Sequence, residues 1–444
     1  MPADPVRDAA IDVLLRVFDR GVHLDISLDK TLRRKQMADR SRRFATQLVY
    51  GTVRFKSQCD FVLQKICHQP LDELPTPILA ILRMAIYQSL YCNQVTLPAM
   101  VHTSVDLAKK RGHAGTARMV NAILRKAPAD LDAVLFPPRE EDLVKFLSLR
   151  HALPRWMVRM WIEQFGEEKA EQLCASCNVQ AKTSIRVNLL KTDAETLLKH
   201  LEKMVVGPVK HTPLPEEYAF ESAGPLFQSK WFQEGHFTLQ DGASMIAARL
   251  LEPQPGERVL DVCAAPGSKS AHLVELSGGE AHVLAADANW NRLHQVLENR
   301  ERLGAEAAMA VLCMDGLRPA VAGNFDAVLV DAPCSGLGTL RRHPDLKWRM
   351  TPSDITELAA KQADLLRSAA ALCKNGGRIV YSVCTFTPQE THQVVDALLA
   401  EGGLELDAGP EILDSWKTSK GKYQTLPSEG ELDGFFLTRF RKLS

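Results

Sequence analysis

From about residue 240 onward the chain alternates short apolar runs with helical patterns, and this alternation constrains its fold more than any other feature. The strand-like runs are 259–262, 283–286, 310–313, 327–330 and 378–382. The first helical pattern ends near residue 276, and the others cover residues 291–302, 353–373 and 388–400. Repeated strand–turn–helix units predict an α/β fold with a parallel, doubly wound sheet. We expect a late edge strand at 435–440.

The region before residue 240 has a different pattern. Residues 1–138 contain helical apolar stripes with no alternating strand pattern, which predicts an all-α domain. Pro137-Pro138 and the charged run after it mark a boundary. Residues 139–238 are predicted to form a helical linker and a small α+β unit, and residues 239–444 the α/β domain.

The charge of the chain is unevenly distributed although it sums to zero. Residues 1–140 hold 21 Lys and Arg against 14 Asp and Glu, a balance of +7, and the remainder is therefore −7. Basic residues cluster at 33–35, 40–43 and 109–111. Such clusters can neutralise the phosphates of a nucleic acid, although they can equally be solvated helix faces.

Residues able to do chemistry follow the predicted strands at the edge where ligands of such sheets bind. The turn Cys263-Ala264-Ala265-Pro266-Gly267-Ser268-Lys269 follows the first strand but has neither the dinucleotide nor the P-loop spacing. Asp287 ends the second strand, where a carboxylate can accept both hydroxyls of a ribose. These features indicate an adenosine-type cofactor, although Asp287 alone could be a turn or cap residue.

Two thiols and a carboxylate end the fourth and fifth strands. Asp331 and Cys334 lie at the end of one, and Cys384 at the end of the other. A single cysteine there would most often be structural. Two thiols beside a carboxylate in one cleft instead indicate a site for nucleophilic catalysis. The pair Cys174 and Cys177 is a lone CxxC without a second pair, so no metal site is predicted.

These motifs together resemble a known family. The segments 261–269, 331–336 and 381–385 are similar to those of the RNA cytosine-5 methyltransferases of the RsmB/NOP family, which use S-adenosylmethionine. Residues 240–244 and 341–345 resemble further motifs of that family. The all-α domain is similar to the NusB-like RNA-binding domain. The resemblance extends over nearly the whole chain and is strongest over 240–390.

The resemblance implies a fold, a reaction and a set of site residues. It implies a Rossmann-like methyltransferase sheet that binds S-adenosylmethionine through the loop Cys263 to Lys269, through Asp287 at the ribose and through Asp315 beside the adenine. Asp331 would contact both cofactor and base. The expected reaction is methylation of C5 of a cytosine in small-subunit (16S) ribosomal RNA, through a covalent adduct between a cysteine and C6 of the base.

The chemistry alone leaves the attacking thiol open, because either strand end could reach C6. The family resemblance assigns attack to Cys384. Cys334 is then placed to assist product release, directly or through a water. A proton at N3 must stabilise the charge on the ring, and Asp331 suits that role if it is protonated or shares a proton. The base must also leave its stack, which favours a loop or a single strand.

Two other function classes compete with this one. A non-catalytic, NusB-like RNA-binding or antitermination factor would explain the first domain but not the strand-end cysteines and acids. A thiol redox enzyme would not need Asp287 or Asp315. The sequence has no apolar run long enough to span a membrane, and its first residues do not resemble a signal peptide. We therefore expect a cytoplasmic protein with reduced cysteines. We also expect it to be a monomer, to act on unassembled or partly assembled 16S rRNA and to need no metal.

Overall fold

The computed structural model describes residues 4–223 and 226–444. Residues 1–3 of the predicted all-α domain and 224–225 of the predicted middle region lie outside these ranges. The helices are α1 Pro5–Arg20, α2 Leu24–Lys35, α3 Asp39–Arg54, α4 Lys56–Ile66, α5 Thr76–Tyr91, α6 Leu97–Arg111, α7 Ala114–Leu124, α8 Leu143–Arg150, α9 Arg155–Phe165, α10 Glu167–Ser176, α11 Ala194–Leu201, α12 Lys230–Gln233, α13 Gly242–Leu251, α14 Ser268–Leu276, α15 Trp290–Leu303, α16 Leu346–Arg349, α17 Pro352–Leu372 and α18 His392–Glu401. The strands are β1 Thr183–Val187, β2 Lys210–His211, β3 Glu217–Phe220, β4 Phe237–Leu239, β5 Arg258–Asp261, β6 His282–Asp287, β7 Met309–Cys313, β8 Phe325–Asp331, β9 Cys373–Val383, β10 Leu404–Leu406, β11 Lys417–Ser419, β12 Lys422–Thr425 and β13 Phe435–Lys442. Single 3₁₀ segments occur at Leu71–Glu73, Leu226–Gln228, Leu337–Thr339 and Glu411–Trp416.

The chain divides into two compact units. The first contains the described residues up to Val179 together with Leu340–Arg349. Its described part consists of α1–α10 and α16, and the apolar stripes of α1, α3, α5, α6 and α7 enclose one core. Helix α1 begins at Pro5, because the Asp4 carboxylate accepts hydrogen bonds from the backbone N–H groups of Val6 and Arg7. This unit includes the residues predicted to form the all-α domain, together with α8–α10 and α16.

Residues 340–349 belong to this helical unit although they follow β8 in the chain. Trp348 donates its indole N–H to the carbonyl of Val53 at 2.7 Å. Lys347 is 1% exposed, and its ammonium donates to the carbonyl of Ala152 at 3.2 Å and to Oδ1 of Asn178 at 2.9 Å. Burial lowers the pKa of Lys347 to about 7. Removing the N-terminal helices would therefore leave a buried lysine and a tryptophan without their partners.

The second unit contains Gln180–Thr339 and Met350–Ser444 and is built on a mixed sheet. The strand order is β11-β12-β13-β9-β8-β5-β6-β7, with β10 paired to β13. Strands β5 to β9 pair in parallel. The chain runs outward from β5 through β6 to β7 and then returns to β8 on the other side of β5. This reversal places the topological switch point between β5 and β8, where ligands of open α/β sheets bind.

The expectation that 435–440 forms an edge strand is wrong. In the structure β13 lies between β12 and β9 and pairs antiparallel with both. Its residues Phe436, Leu437 and Phe440 are fully buried, because helices and neighbouring strands cover both faces. An apolar run without strict alternation is typical of such an internal strand.

A small antiparallel sheet, ordered β2-β3-β1-β4, precedes the large sheet in the same unit. Arg186 of β1 is fully buried and pairs with Glu275 of α14 at 2.7 Å. The same guanidinium donates to the backbone carbonyl of Ser268 at 2.8 Å. Arg186 thus connects the small sheet to the loop that follows β5.

Candidate active site

The predicted strand-end residues meet in one cleft of about 600 Å³. The cleft lies at the carboxyl ends of β5, β6, β7, β8 and β9, because parallel strands present these ends at one edge of the sheet. Its lining includes seven of the predicted residues: Cys263, Ala265, Asp287, Asp315, Asp331, Cys334 and Cys384. Trp290 and Arg292 at the start of α15 line it as well.

A smaller pocket of about 180 Å³ adjoins this cleft and shares Cys263, Ala265 and Asp331 with it. Four further residues of the predicted loop line the small pocket: Ala264, Pro266, Ser268 and Lys269. Asp261, the last residue of β5, also lines it. Residues of the predicted cofactor loop therefore line two neighbouring pockets.

Another recess of about 600 Å³ lies at the opposite edge of the sheet. Its lining includes the first residues of four parallel strands, Arg258, His282, Met309 and Phe325. Ligands of doubly wound sheets bind at the carboxyl edge. We therefore place the active site in the cleft that holds the acids and thiols.

The two predicted thiols are in direct contact. Sγ of Cys334 lies 3.2 Å from Sγ of Cys384, and both side chains are partly exposed to the cleft. The pKa of Cys334 lies well above its ordinary value, because the neighbouring Cys384 sulfur, burial and the charge of Glu390 all disfavour a second negative charge. Cys334 therefore holds its proton and can donate it in a hydrogen bond to the sulfur of Cys384.

Lys269 forms an ion pair with Asp331 at the junction of the two pockets. Its Nζ lies 2.7 Å from Oδ2 of Asp331. Burial alone would lower the pKa of Lys269, but the Asp331 carboxylate outweighs it and raises that pKa. The lysine is therefore an ammonium that donates a hydrogen bond to the Asp331 carboxylate. Sequence reasoning placed Lys269 in the cofactor loop and did not find this partner.

Asp287 is held rigidly at the end of β6. The side chain is 5% exposed, and its two oxygens accept hydrogen bonds from the backbone N–H groups of Ala265 at 3.2 Å and Asn289 at 2.9 Å. Each oxygen keeps a lone pair for a ligand hydroxyl. Asp315, two residues beyond β7, is exposed and faces the same cleft.

The turn between β5 and α14 requires a glycine. Gly267 has φ of +100°, and an added Cβ would lie 3.2 Å from Cα of Val296 in α15. Both facts favour the residue without a side chain. Small residues here let a ligand approach the backbone of the loop.

Comparison with known proteins agrees with this geometry. The model of the 16S rRNA methyltransferase RsmB/F family matches residues 248–441. A protein of Bacillus subtilis (strain 168), the probable ribosomal RNA small subunit methyltransferase B, is 33% identical over 460 residues, covering 100% of both chains. The chain belongs to the RsmB/F methyltransferase family. A Synechocystis protein of the same name is 32% identical, covering 98% of this chain and 99% of its own.

The other domains of the chain also match family models. The NusB family model matches residues 4–128, and the RsmF/B-like ferredoxin-like domain matches 153–223. The crystal structure of PH0851 covers 99% of each chain with a TM-score of 0.83 at 24% identity, which supports the fold. The predicted fold class and the predicted family are both confirmed. The RsmB/F chain thus combines a NusB domain, a ferredoxin-like unit and a methyltransferase sheet.

Two further observations concern the described residues as a whole. Within residues 4–223 and 226–444, no group of three or more His, Cys, Asp or Glu is arranged to hold a metal ion. In the same ranges no helix is both long and apolar enough to cross a membrane.

Sequence reasoning missed some residues that shape the RsmB/F site. Asp261 appeared within a motif but received no role, and Glu390 was not considered. The signal for Glu390 is weak, since it is one acid six residues beyond Cys384 in an otherwise ordinary helix start. Its importance depends on contacts with segments that are distant in the sequence.

Proposed function

We propose that this chain transfers a methyl group from S-adenosylmethionine to C5 of a specific cytosine in small-subunit (16S) ribosomal RNA, in the cytoplasm. The observation that carries the proposal is the contact between the Cys334 and Cys384 thiols beside the Lys269–Asp331 pair. A carbon nucleophile has to be created at C5 of cytosine, and a thiol beside a proton donor can do so. The names of the full-length relatives support ribosomal RNA as substrate.

The large cleft fits S-adenosylmethionine. The buried Asp287 carboxylate suits the two ribose hydroxyls, Asp315 suits the adenine, and the Ala264–Gly267 turn gives room for close approach. When bound, this cofactor supplies a methyl group on a positively charged sulfur, which is the electrophile. The residues of the chain must therefore activate the base and control its protons.

Cys384 is the proposed nucleophile. Its thiolate forms a bond to C6 of the cytosine, and the electron pair of the C5–C6 double bond moves into the ring, so that C5 becomes nucleophilic. After C5 has gained its methyl group, a water in the cleft accepts the C5 proton. The electron pair of that C–H bond re-forms the C5–C6 double bond, and the bond between C6 and the Cys384 sulfur breaks, so that the sulfur leaves as a thiolate. The Cys334 S–H, 3.2 Å from the Cys384 sulfur, can hydrogen-bond the thiolate that is expelled.

Lys269 and Asp331 are proposed to protonate N3 of the cytosine. Attack on C6 places negative charge on the ring, and protonation of N3 stabilises it. Asp331 lines both pockets, and its carboxylate can pass on to N3 a proton that it receives from the ammonium of Lys269, 2.7 Å away. The same positive charge interacts favourably with a thiolate at Cys384.

A direct assay tests the proposal. The full-length protein is incubated with radiolabelled S-adenosylmethionine and ribosomal RNA transcribed in vitro, and the RNA is then digested to nucleosides. We expect the label in 5-methylcytosine, with about one methyl group incorporated per RNA molecule. Label in another nucleoside would contradict the proposed reaction, and a failure to label RNA in either naked or particle form would contradict the proposed substrate.

Replacing Asp287 by asparagine is expected to weaken S-adenosylmethionine binding by about 1–3 kcal/mol, the cost of leaving polar ribose groups imperfectly paired. Asparagine is preferable to alanine here, because alanine would release the backbone N–H groups of both Ala265 and Asn289, whereas asparagine keeps an oxygen acceptor for one of them. Titration calorimetry measures the dissociation constant, with Asp396→Asn on the outer face of α18 as the control. An unchanged constant would mean that Asp287 only shapes the turn.

Two basic clusters of the helical unit converge at α1. We call Arg33, Arg34, Lys35, Lys109, Lys110 and Arg111 the basic face. Lys35 lies 3.2 Å from Asp12, Lys110 lies 2.8 Å from Asp8, and Arg111 contacts both acids. Four of these six cations, Arg34, Lys35, Lys110 and Arg111, form ion pairs with Asp8 or Asp12, although 74 positions separate the clusters in the sequence. We propose that the basic face contacts RNA phosphates.

The double substitution of Arg34 and Lys109 by glutamate is expected to weaken RNA binding. The slope of the logarithm of the binding constant against the logarithm of the salt concentration should also become shallower by about one to two, because fewer counterions are released. Both side chains are exposed, so the ion pairs of Asp8 and Asp12 with Lys110 and Arg111 remain. Binding is measured by fluorescence anisotropy between 50 and 300 mM salt, with Lys420→Glu in the other unit as control. A slope equal to that of the wild type would exclude the basic face from the interface.

A further inference from the structure

Glu390 is a fully buried carboxylate between the two loops that carry the thiols. It follows Cys384 by six residues, lies just before α18 and is 0% exposed. Its oxygens accept hydrogen bonds from the backbone N–H of Ser335 at 2.7 Å and the hydroxyl of Ser335 at 2.5 Å. They also accept from the hydroxyl of Thr387 at 2.8 Å and the amide of Gln362 at 3.0 Å.

These contacts reach the residue next to each thiol. Ser335 follows Cys334, and its hydroxyl also contacts that of Thr385 at 3.0 Å. Thr385 in turn follows Cys384. The Glu390 carboxylate therefore connects the loop after β8 with the loop after β9 by hydrogen bonds. It accepts directly from Ser335, and Ser335 in turn contacts Thr385. The Sγ–Sγ contact of 3.2 Å lies immediately beside this connection.

The remainder of the pocket around Glu390 is built to keep it in place. The phenol of Tyr381 donates to the backbone carbonyl of Glu390 at 2.7 Å, and Gln362 bridges Tyr381, Glu390 and the carbonyl of Pro333. A buried charge is costly unless several donors compensate it. Four donors around a single carboxylate exceed what closing a turn requires, which indicates a role in holding the two loops together.

We propose that Glu390 is a positioning residue that holds the thiols of Cys334 and Cys384 in contact by tying both of their loops to one buried carboxylate. This inference rests on the proposed two-thiol reaction. Glu390 touches neither substrate nor cofactor in this scheme. It acts through Ser335 and Thr385.

Thiol proximity can be measured without any methylation. Diamide oxidises two neighbouring thiols to a disulfide and takes up their two protons and two electrons. The Cys334–Cys384 disulfide is then quantified by mass spectrometry of the full-length protein. Glu390→Ala is expected to slow its formation about tenfold or more, because the effective concentration of one thiol at the other falls. Asp396→Asn, on α18 with a side chain 64% exposed, is the matched control and should form the disulfide at the wild-type rate.

A second variant and a kinetic measurement separate positioning from folding. Glu390→Gln keeps the shape and one acceptor, so it should fold and slow the disulfide by a smaller factor. It also removes a negative charge beside Cys334, so the pH midpoint for alkylation of Cys334 by iodoacetamide should move downward. For methylation, kcat should fall in both variants, whereas the KM for S-adenosylmethionine should stay within about twofold.

The outcomes distinguish this inference from the proposed function. A folded Glu390→Ala protein with the wild-type disulfide rate would overturn the positioning role, even if methylation of cytosine is established. A wild-type protein that methylates no cytosine would refute the proposed function. The disulfide rates would still show in that case whether Glu390 holds the thiols together. An unchanged alkylation midpoint in Glu390→Gln, together with unchanged kcat, would likewise overturn the inference.

Discussion

Replacing Cys384 by alanine is expected to abolish both the methylated product and any covalent protein–RNA complex. The reason is that the proposed mechanism forms the bond to C6 through Cys384, and loss of a nucleophile lowers turnover by on the order of 10⁴-fold or more. Replacing Cys334 by alanine should leave that bond formation possible. Release should stall instead, because the leaving sulfur loses the S–H that lies 3.2 Å away. A protein–RNA complex methylated at C5 and resistant to denaturation should therefore accumulate.

The measurement is a denaturing gel of each variant with labelled RNA and S-adenosylmethionine. Cys313→Ala, which removes an exposed thiol at the end of β7, is the control and should behave as the wild type. A complex that appears with Cys384→Ala and not with Cys334→Ala would reverse the two roles. If neither variant trapped RNA and both still methylated it, the thiols would be structural and the mechanism wrong.

The convergence of the site residues was predictable because it depends on topology alone. Parallel strands present their carboxyl ends at one edge, so Asp287, Asp331 and Cys384 had to lie near one another once the strands were recognised. The same rule holds for Cys334, three residues beyond β8. Strand patterns in the sequence are local, and the sheet converts them into a shared cleft.

Features that depend on contacts between distant segments could not be predicted. Lys347 is buried against Ala152 and Asn178, which precede it by 195 and 169 residues in the chain. This burial follows from packing, not from any local sequence pattern. The ion pair of Lys269 with Asp331 and the hydrogen bonds of Glu390 could not be predicted either, because they depend on side-chain positions that only the three-dimensional structure gives. The internal position of β13 has the same cause, since pairing with β9 decides it.

Asp261 leads to the second large prediction, which concerns stability. It is 1% exposed at the end of β5, and its Oδ2 accepts a hydrogen bond from the hydroxyl of Ser270 at 2.6 Å. Its Oδ1 has no hydrogen-bond partner within the part of the chain that the structure describes. Burial raises the pKa of Asp261 to about 7, and the negative charge of Asp331 adds to this, against the opposing effects of Ser270 and Lys269.

The sign of the pH dependence follows from the raised pKa. The folded protein holds the Asp261 proton more tightly than the unfolded chain, so the contribution to stability is fully present below about pH 4. It is lost as the pH rises towards and through 7, because the carboxylate must then be ionised in a dry site. A shift of about three pKa units corresponds to roughly 4 kcal/mol of unfolding free energy.

Asp261→Asn removes this ionisation while keeping the shape of the side chain. We expect its free energy of unfolding to be close to that of the wild type near pH 4 and to exceed it by a few kcal/mol at pH 8. Urea unfolding at both pH values measures the difference, and Asp364→Asn, an exposed carboxylate on α17, should show none. A difference that does not change with pH would mean that Asp261 is ionised at both. Asp261 lines the small pocket beside Lys269 and Asp331, so a ligand there that donates a hydrogen bond to its Oδ1 would lower the cost of ionising this carboxyl group at neutral pH.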